Sequence, residues 1–279
     1  MDSMIFDTHA HYDDPRFDED RETLLAGMAE AGVSRIVNIS ASIPECRATL
    51  ELTRRYPFLY GAVGVHPDEV AGLSESDLDT LRQMLAVPKI VAVGEIGLDY
   101  FEGPGTESDP AYAGRAEEGR ALQKEWFARQ LRLAEECRKP VLIHSRDAAQ
   151  DTYQIMKAEH AEMLAESGFP AGVIHCFSYS CEMAKLWLDM GFDIGIGGVL
   201  TFAKAKKLKD VAAYVPMERI VLETDCPYLA PVPFRGRRND STLLSYVVKA
   251  LSEIRGISEE EVRRITWENA CRLYRLPEA

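Results

Sequence analysis

The sequence predicts a (β/α)8 TIM barrel built as a single domain from the whole 279-residue chain, and three observations lead to it. Eight short runs rich in Val and Ile recur along the chain, with segments of helical spacing between them. The runs are almost uninterruptedly apolar, as strands covered on both faces must be. Five of the six histidines, with one glutamate and one aspartate, stand at the downstream ends of such runs. A barrel brings the C-terminal ends of its strands to one face, where the active site of such folds lies. A doubly wound sheet is the alternative. It would show a Gly-rich turn after its first strand, whereas the first run here ends in His9-Ala10-His11.

The runs lie near residues 4–8, 35–40, 59–65, 89–95, 140–144, 172–176, 192–197 and 219–224. Helices are expected between them from Arg21 to Ala31, Pro44 to Tyr56, Glu75 to Leu85, Glu117 to Arg138, Ala148 to Ser167, Cys181 to Met190 and Lys204 to Tyr214. Two more follow the last run, Thr242 to Arg255 and Glu259 to Tyr274, the second opened by a capping box of Ser258 and Glu261. One segment breaks the rhythm. Residues 102–119 carry four glycines, two prolines and five acidic residues, and read as a long loop insertion, either a solvated excursion or a lid above the site.

Apolar residues make up 46% and charged residues 28%, as in ordinary globular chains. The net charge of −13 argues against a general nucleic-acid or membrane coat. It leaves a nucleic-acid substrate open, because local patches and bound cations can reverse the field at a site. No apolar stretch approaches the roughly 20 residues that span a bilayer. Met1 to Ile5 lacks the pattern of a secretory signal. The six cysteines form no C-x-x-C pair, so reduced thiols in a cytoplasmic protein are expected. Cys176 and Cys226 directly follow candidate ligands and read either as thiol ligands or as small buried residues.

His9 and His11, at i and i+2 on a strand, point to one face and can share a cation; Asp7 is expected to point with them. Glu95 ends the fourth run between Gly94 and Gly97, which permit close backbone approach. A buried carboxylate there calls for a cation, and its two oxygens could bridge two metals; a salt bridge to an arginine is the other reading. His144 and His175 end the fifth and sixth runs, and Asp225 ends the eighth, beside the first in a closed barrel. Two half-sites follow: His9, His11 and Asp225 on one side, His144 and His175 on the other, with Glu95 between. Two divalent cations there could activate water and clamp a displacement at phosphorus. Asp225 could serve as both ligand and general base. The mixed nitrogen and oxygen donors suit Zn²⁺, Mn²⁺ or Mg²⁺.

With these residues together the chain resembles the TatD family of metal-dependent deoxyribonucleases, among the amidohydrolase-like barrels. The motifs run nearly end to end: FDTHAHYDD (6–14), GVHPDE (64–69), GEIGLDY (94–100), PVLIHSRDA (140–148), GVIHCFS (172–178), IGIGGVLTF (194–202), LETDCPYLAP (222–231) and RGRRND (235–240). The resemblance implies a barrel nuclease using divalent metal, often a 3′-to-5′ exonuclease on DNA or RNA, with metal positions at His9, His11, Glu95, His144, His175 and Asp225. Departures from the pattern lie in the long loop at 102–119 and at Tyr179, Cys226 and Ser241. None removes a ligand.

Around a phosphate, His66 is expected to touch an oxygen or the leaving group, or else to support a ligand. Arg146 could fork onto phosphate, or pair with Asp147 or Asp151. Arg235, Arg237 and Arg238 form one basic patch, and Lys204, Lys206, Lys207 and Lys209 another, suited to steering a polyanion or simply to solvation. Phe177, Tyr179, Phe202 and Tyr228 could stack on bases or pack the rim. A second enzyme reading keeps the metals and changes the bond: a deacylase or amidohydrolase, such as a D-aminoacyl-tRNA deacylase. A third is a silent scaffold, against which the intact ligand set argues. The sequence leaves the oligomeric state open; a monomer suffices for the site.

Overall fold

The computed structural model describes residues 4–101, 117–159 and 171–278. Eight parallel strands form one sheet in chain order: β1 (Ile5–Ala10), β2 (Val33–Ile39), β3 (Leu59–Val63), β4 (Ile90–Asp99), β5 (Val141–Arg146), β6 (Gly172–Ile174), β7 (Asp193–Ile196) and β8 (Ile220–Leu222). The described helices are α1 (Arg21–Ala26), α2 (Ile43–Arg55), α3 (Glu75–Leu85), α4 (Glu117–Cys137), α5 (Ala149–Glu159), α6 (Cys181–Asp189), α7 (Lys206–Tyr214), α8 (Leu244–Arg255) and α9 (Glu259–Tyr274). The expected (β/α)8 barrel is therefore the fold.

Its seam is polar. Ala10 of β1 bridges Cys226, the Asp225 amide donates to His9 O at 2.9 Å, and the His11 amide donates to Cys226 O at 2.8 Å. The Asp7 carboxylate accepts from the amide and hydroxyl of Thr224 across the same seam.

Alternation along the strands makes two apolar layers. Ile36, Leu59, Ile90, Ile143, Ile174 and Ile194 pack outward with helix residues such as Trp126, Phe127 and Trp187. Val37, Ile39, Ala62, Leu142, Val173 and Val221 form the second cluster, whose helical members among the described residues belong to α9. That helix closes the N-terminal end of the barrel: Trp267 packs on Phe6 with centroids 5.7 Å apart, and Asn269 donates to the carbonyl of Ile220, where β8 begins. The C-terminal ends of the strands lie at the opposite end.

Some boundaries differ from expectation. β1 extends to Ala10, and β6 and β8 have three residues each. α1 stops at Ala26, where Gly27 takes the C-cap. Residues 117–119 of the expected loop begin α4, while 102–116 lie outside the described residues, as do 160–170 with His160. Only half of the capping box forms. The Ser258 hydroxyl accepts from the Glu261 amide at 3.1 Å, but the Glu261 carboxylate turns to Arg264.

Candidate metal centre

Strand irregularities build the centre. Between Asp7 and Ala10, β1 advances three residues while β2 advances two, from Ile36 to Asn38. One extra residue reverses the alternation. Asp7 therefore does not point with the histidines, contrary to the expectation of strict period two. Its carboxylate instead accepts from the His9 and Thr224 amides and from the Thr224 and Ser241 hydroxyls. His9 and His11 face each other, Nε2 to Nε2, at 3.2 Å.

The same kind of slip occurs in β4, where Val93 to Ile96 spans three residues against two from Val141 to Ile143. Glu95 lies inside it. Gly97, at φ +145°, allows the approach: a Cβ there would stand 1.9 Å from the carbonyl oxygen of His144. The two oxygens of Glu95 look in different directions. Oε2 is 3.5 Å from His9 Nε2 and 3.8 Å from His11 Nε2. Oε1 is 2.8 Å from His144 Nδ1 and 3.7 Å from His175 Nε2. Glu95 thus lies between His9 and His11 on one oxygen and His144 and His175 on the other, and these partners are histidines rather than an arginine. Asp225 Oδ1 completes the first half-site, 3.4 Å from His11 Nε2 and 3.9 Å from His9 Nε2. It also reaches His175 Nε2 at 3.6 Å, and the His175 ring stacks on that of His9 at 3.5 Å.

Hydrogen bonds on the far side fix the rings. His11 Nδ1 lies 3.0 Å from the Ile39 carbonyl, which can only accept, so a neutral ring leaves Nε2 bare toward the centre. His175 Nδ1 lies 3.0 Å from Glu223, and His144 Nε2 lies 3.0 Å from Asp99. Metal-binding histidines characteristically donate their second nitrogen to a carbonyl or carboxylate in this way. Asp99 and Glu223 escaped the sequence reading, which looked only at the last residue of each run. A signal existed: Gly195 makes room for Glu223, whose carboxylate would stand 2.4 Å from a Cβ at that position.

His66 differs. The Asp68 amide donates to its Nδ1 at 3.2 Å, so the neutral ring carries its proton on Nε2. That nitrogen lies 4.0 Å from Glu95 Oε1, and the ring packs edgewise on His144 at 4.3 Å. His66 therefore offers the centre a donor rather than a lone pair.

Charge follows from the crowding. Burial lowers His66 to about 3, with the neighbouring His144 adding to the effect. Burial and then His175 lower His9 to about 4. Burial works against the charged forms of His11, His144 and His175 too, but the carboxylates prevail. Asp225 lifts His11 to about 9, Asp99 and Glu95 lift His144 to about 10, and Glu223 lifts His175 to about 9. Glu95 resists burial and is held well below the carboxylate range, chiefly by His144 and His9. Protonated imidazoles supply positive charge that the acids demand, a role divalent cations would fill.

The donor set fits such cations. Among the described residues, the ligand atoms of His9, His11 and Asp225 lie within 4.8 Å of one another, as do those of His9, Glu95 and His175. His9 Nδ1 is buried without a hydrogen-bond partner. Cys176 also lies beside His175 and Asp225. Burial pushes its thiol well above its ordinary value, which disfavours the thiolate a ligand needs. Cys226 is buried in the core.

The outer residues are more scattered. The Arg146 guanidinium lies 3.6 Å over the Phe101 ring, while Asp151 is engaged by Lys124 and the Tyr100 hydroxyl. Arg235 lies over Phe202 at 4.7 Å and Arg237 over Phe234 at 6.0 Å. Both are exposed. Arg238 leaves the patch to pair with Asp20 at 2.6 Å. Phe177 is core, and Tyr179 bonds Ser145 and the Ala148 amide; Tyr228 stays exposed at the rim beneath Arg16. A cavity of about 260 Å³ adjoins the centre, and Asp225, Cys176, Lys204 and Lys207 are among its lining residues.

Comparison with known proteins identifies the chain's relatives as metal-dependent hydrolases. A family model described as TatD related DNase matches residues 6–275. A metal-dependent hydrolase of Bacillus subtilis, YabD, is 38% identical over 98% of this chain and 100% of its own. YcfH of Escherichia coli, named likewise, is 32% identical over 98% and 96%. The crystal structure of the E. coli TatD homologue YjjV superposes with a TM-score of 0.87 at 31% identity, covering 99% of this chain and 100% of its own. Among the described residues no helix is long and apolar enough to cross a membrane.

Proposed function

The chain belongs to the TatD related DNase family of metal-dependent hydrolases, and on that premise we propose that it is a nuclease. Its substrate on this reading is single-stranded DNA, with RNA as a second possibility to test, and it trims from the 3′ end. His9, His11 and Asp225 would hold one divalent ion, His144 and His175 a second, with Glu95 shared. Mg²⁺, Mn²⁺ and Zn²⁺ all suit these donors. The observation that carries the reading is the division of Glu95, one oxygen toward each group of histidines.

When bound, the cations would acidify water and offset phosphate charge. The protein's own residues do the rest. Asp225, kept ionised by His11 and its neighbours against the pull of burial, accepts the proton of the attacking water. His66 Nε2–H donates to the phosphate or to the departing oxygen, and its lowered pKa keeps it neutral for that role. Arg146, Arg235 and Arg237 would contact phosphates outside the centre. Six unpaired cysteines fit a reducing compartment, and the cytoplasm is the proposed location.

End-labelled single-stranded DNA, incubated with and without EDTA and with each metal, tests the proposal. Shortening that EDTA abolishes is expected, as is its loss in Glu95→Ala and Asp225→Ala with the fold retained. Amino acid released from charged tRNA, with DNA left intact, would replace the nuclease reading with the deacylase.

A further inference from the structure

We propose that Gln130, on α4, is the positioning residue for His66: its amide clamps the backbone of Val65 and so fixes where the imidazole stands. This rests on the nuclease reading above, in which His66 donates to the phosphate or the departing oxygen. Gln130 is 1% exposed, and a glutamine so buried needs hydrogen-bond partners. Its Oε1 accepts from the Val65 amide at 2.8 Å, and its Nε2 donates to the Val65 carbonyl at 3.0 Å. β3 ends at Val63, so Val65 has left the ladder that would otherwise pair its backbone. A buried N–H and C=O must still be satisfied. A primary amide offers one donor beside one acceptor and matches both. Gln130 thus takes the place of a neighbouring strand.

The path from clamp to ring is short. Gly64 lies against the backbone of Gly94, where a Cβ would stand 2.9 Å away. The His66 amide donates to the Ala41 carbonyl at 2.8 Å. Pro67 opens the turn whose Asp68 amide donates to the ring. The chain from Gly64 to Asp68 is therefore held at successive points, and at Val65 the hold comes from a side chain of α4. Two turns earlier on the same face of that helix, Gln123 Oε1 accepts from the amide of Asp99 at 3.1 Å. Asp99 is the acid behind His144. The helix is thus registered against the site twice. Both bonds of Gln130 go to Val65 rather than to a candidate metal ligand, so the clamp bears on His66 and leaves metal binding intact.

The experiment is a double-mutant cycle on single-stranded DNA with Mn²⁺, using wild type, His66→Ala, Gln130→Met and the double variant, with bound metal measured in each. Gln130→Met keeps the bulk of the side chain and removes both bonds. It should lower kcat about tenfold at unchanged KM and wild-type metal content, since a misplacement of about 1 Å can cost about 10²-fold. In the His66→Ala background it should lower kcat no further, because the group it positions is gone. Leu133→Ala, also buried on α4, should lower the unfolding midpoint and leave kcat as in wild type. Gln130→Glu retains the acceptor for the Val65 amide and loses the donor, and carries the same cycle should the Met variant fail to fold. Wild-type kcat in the Gln130 variant, or a loss that multiplies with that of His66→Ala, would overturn the proposal. A wild type that leaves DNA whole and releases amino acid from charged tRNA would instead remove the nuclease reading, and the same cycle run on charged tRNA would still decide for or against Gln130.

Discussion

His66 and His11 differ by one hydrogen bond, and that bond assigns them different work. A carbonyl behind His11 leaves its inner nitrogen free to accept, while an amide behind His66 puts a proton on its inner nitrogen. His66→Ala should therefore keep its bound metal and lose about 10²-fold or more in kcat, the scale of losing one positioned donor. His11→Ala should lose metal, which elemental analysis of dialysed protein would register. Glu223→Gln weakens the support behind His175 and should cost about 10–100-fold in metal affinity, measured by titration against a chelator. The six candidate ligands were legible because each ends an apolar run. Glu223 and Asp99 were not, because they act through a neighbouring ring and position alone does not mark them. Asp7 was misread for another reason: period two holds only in a regular strand, and β1 gains a residue beyond Asp7.

At the scale of elements, β4 and β5 show why glycines flank Glu95. The two strands press together where Gly97 faces the His144 backbone, and the chain there holds a φ that L side chains rarely adopt. Gly97→Ala should cost about 3 kcal/mol or more, read by chemical denaturation, and should lower metal affinity by displacing His144. Wild-type stability in that variant would show the approach to be dispensable. The strands and helices themselves were readable, since Val- and Ile-rich runs alternate with helical spacing throughout. Their ends were less so. Pairing sets the length of β6 and β8, and Gly27 stops α1 where the apolar pattern alone would carry it to Ala31.

For the whole molecule, the centre links stability to pH. His11, His144 and His175 have folded pKa values of about 9, 10 and 9, above the ordinary 6.5. Their contribution is complete below 6.5 and is lost as pH rises through 9 to 10. His9 and His66, lowered to about 4 and 3, act on the other side: folding keeps them neutral, at a cost that grows as pH falls below 6.5. Glu95 and Asp225, both lowered, add to the acid loss as they protonate. The metal-free protein should thus have its highest unfolding midpoint near pH 6.5 and a marked fall toward pH 10. Saturating metal should flatten the alkaline side, because a cation replaces the protons. An alkaline limb unchanged by metal in calorimetry would contradict this linkage.

Anomalous diffraction from crystals soaked in Mn²⁺ tests the central claim most directly. Two peaks are expected at the C-terminal mouth of the barrel. One should lie among the ring nitrogens of His9 and His11, on the Oε2 side of Glu95. The other should lie on its Oε1 side, bound by His144 and His175. A soaked crystal in which these residues hold no ion, or in which their side chains turn away from one another, would contradict the account.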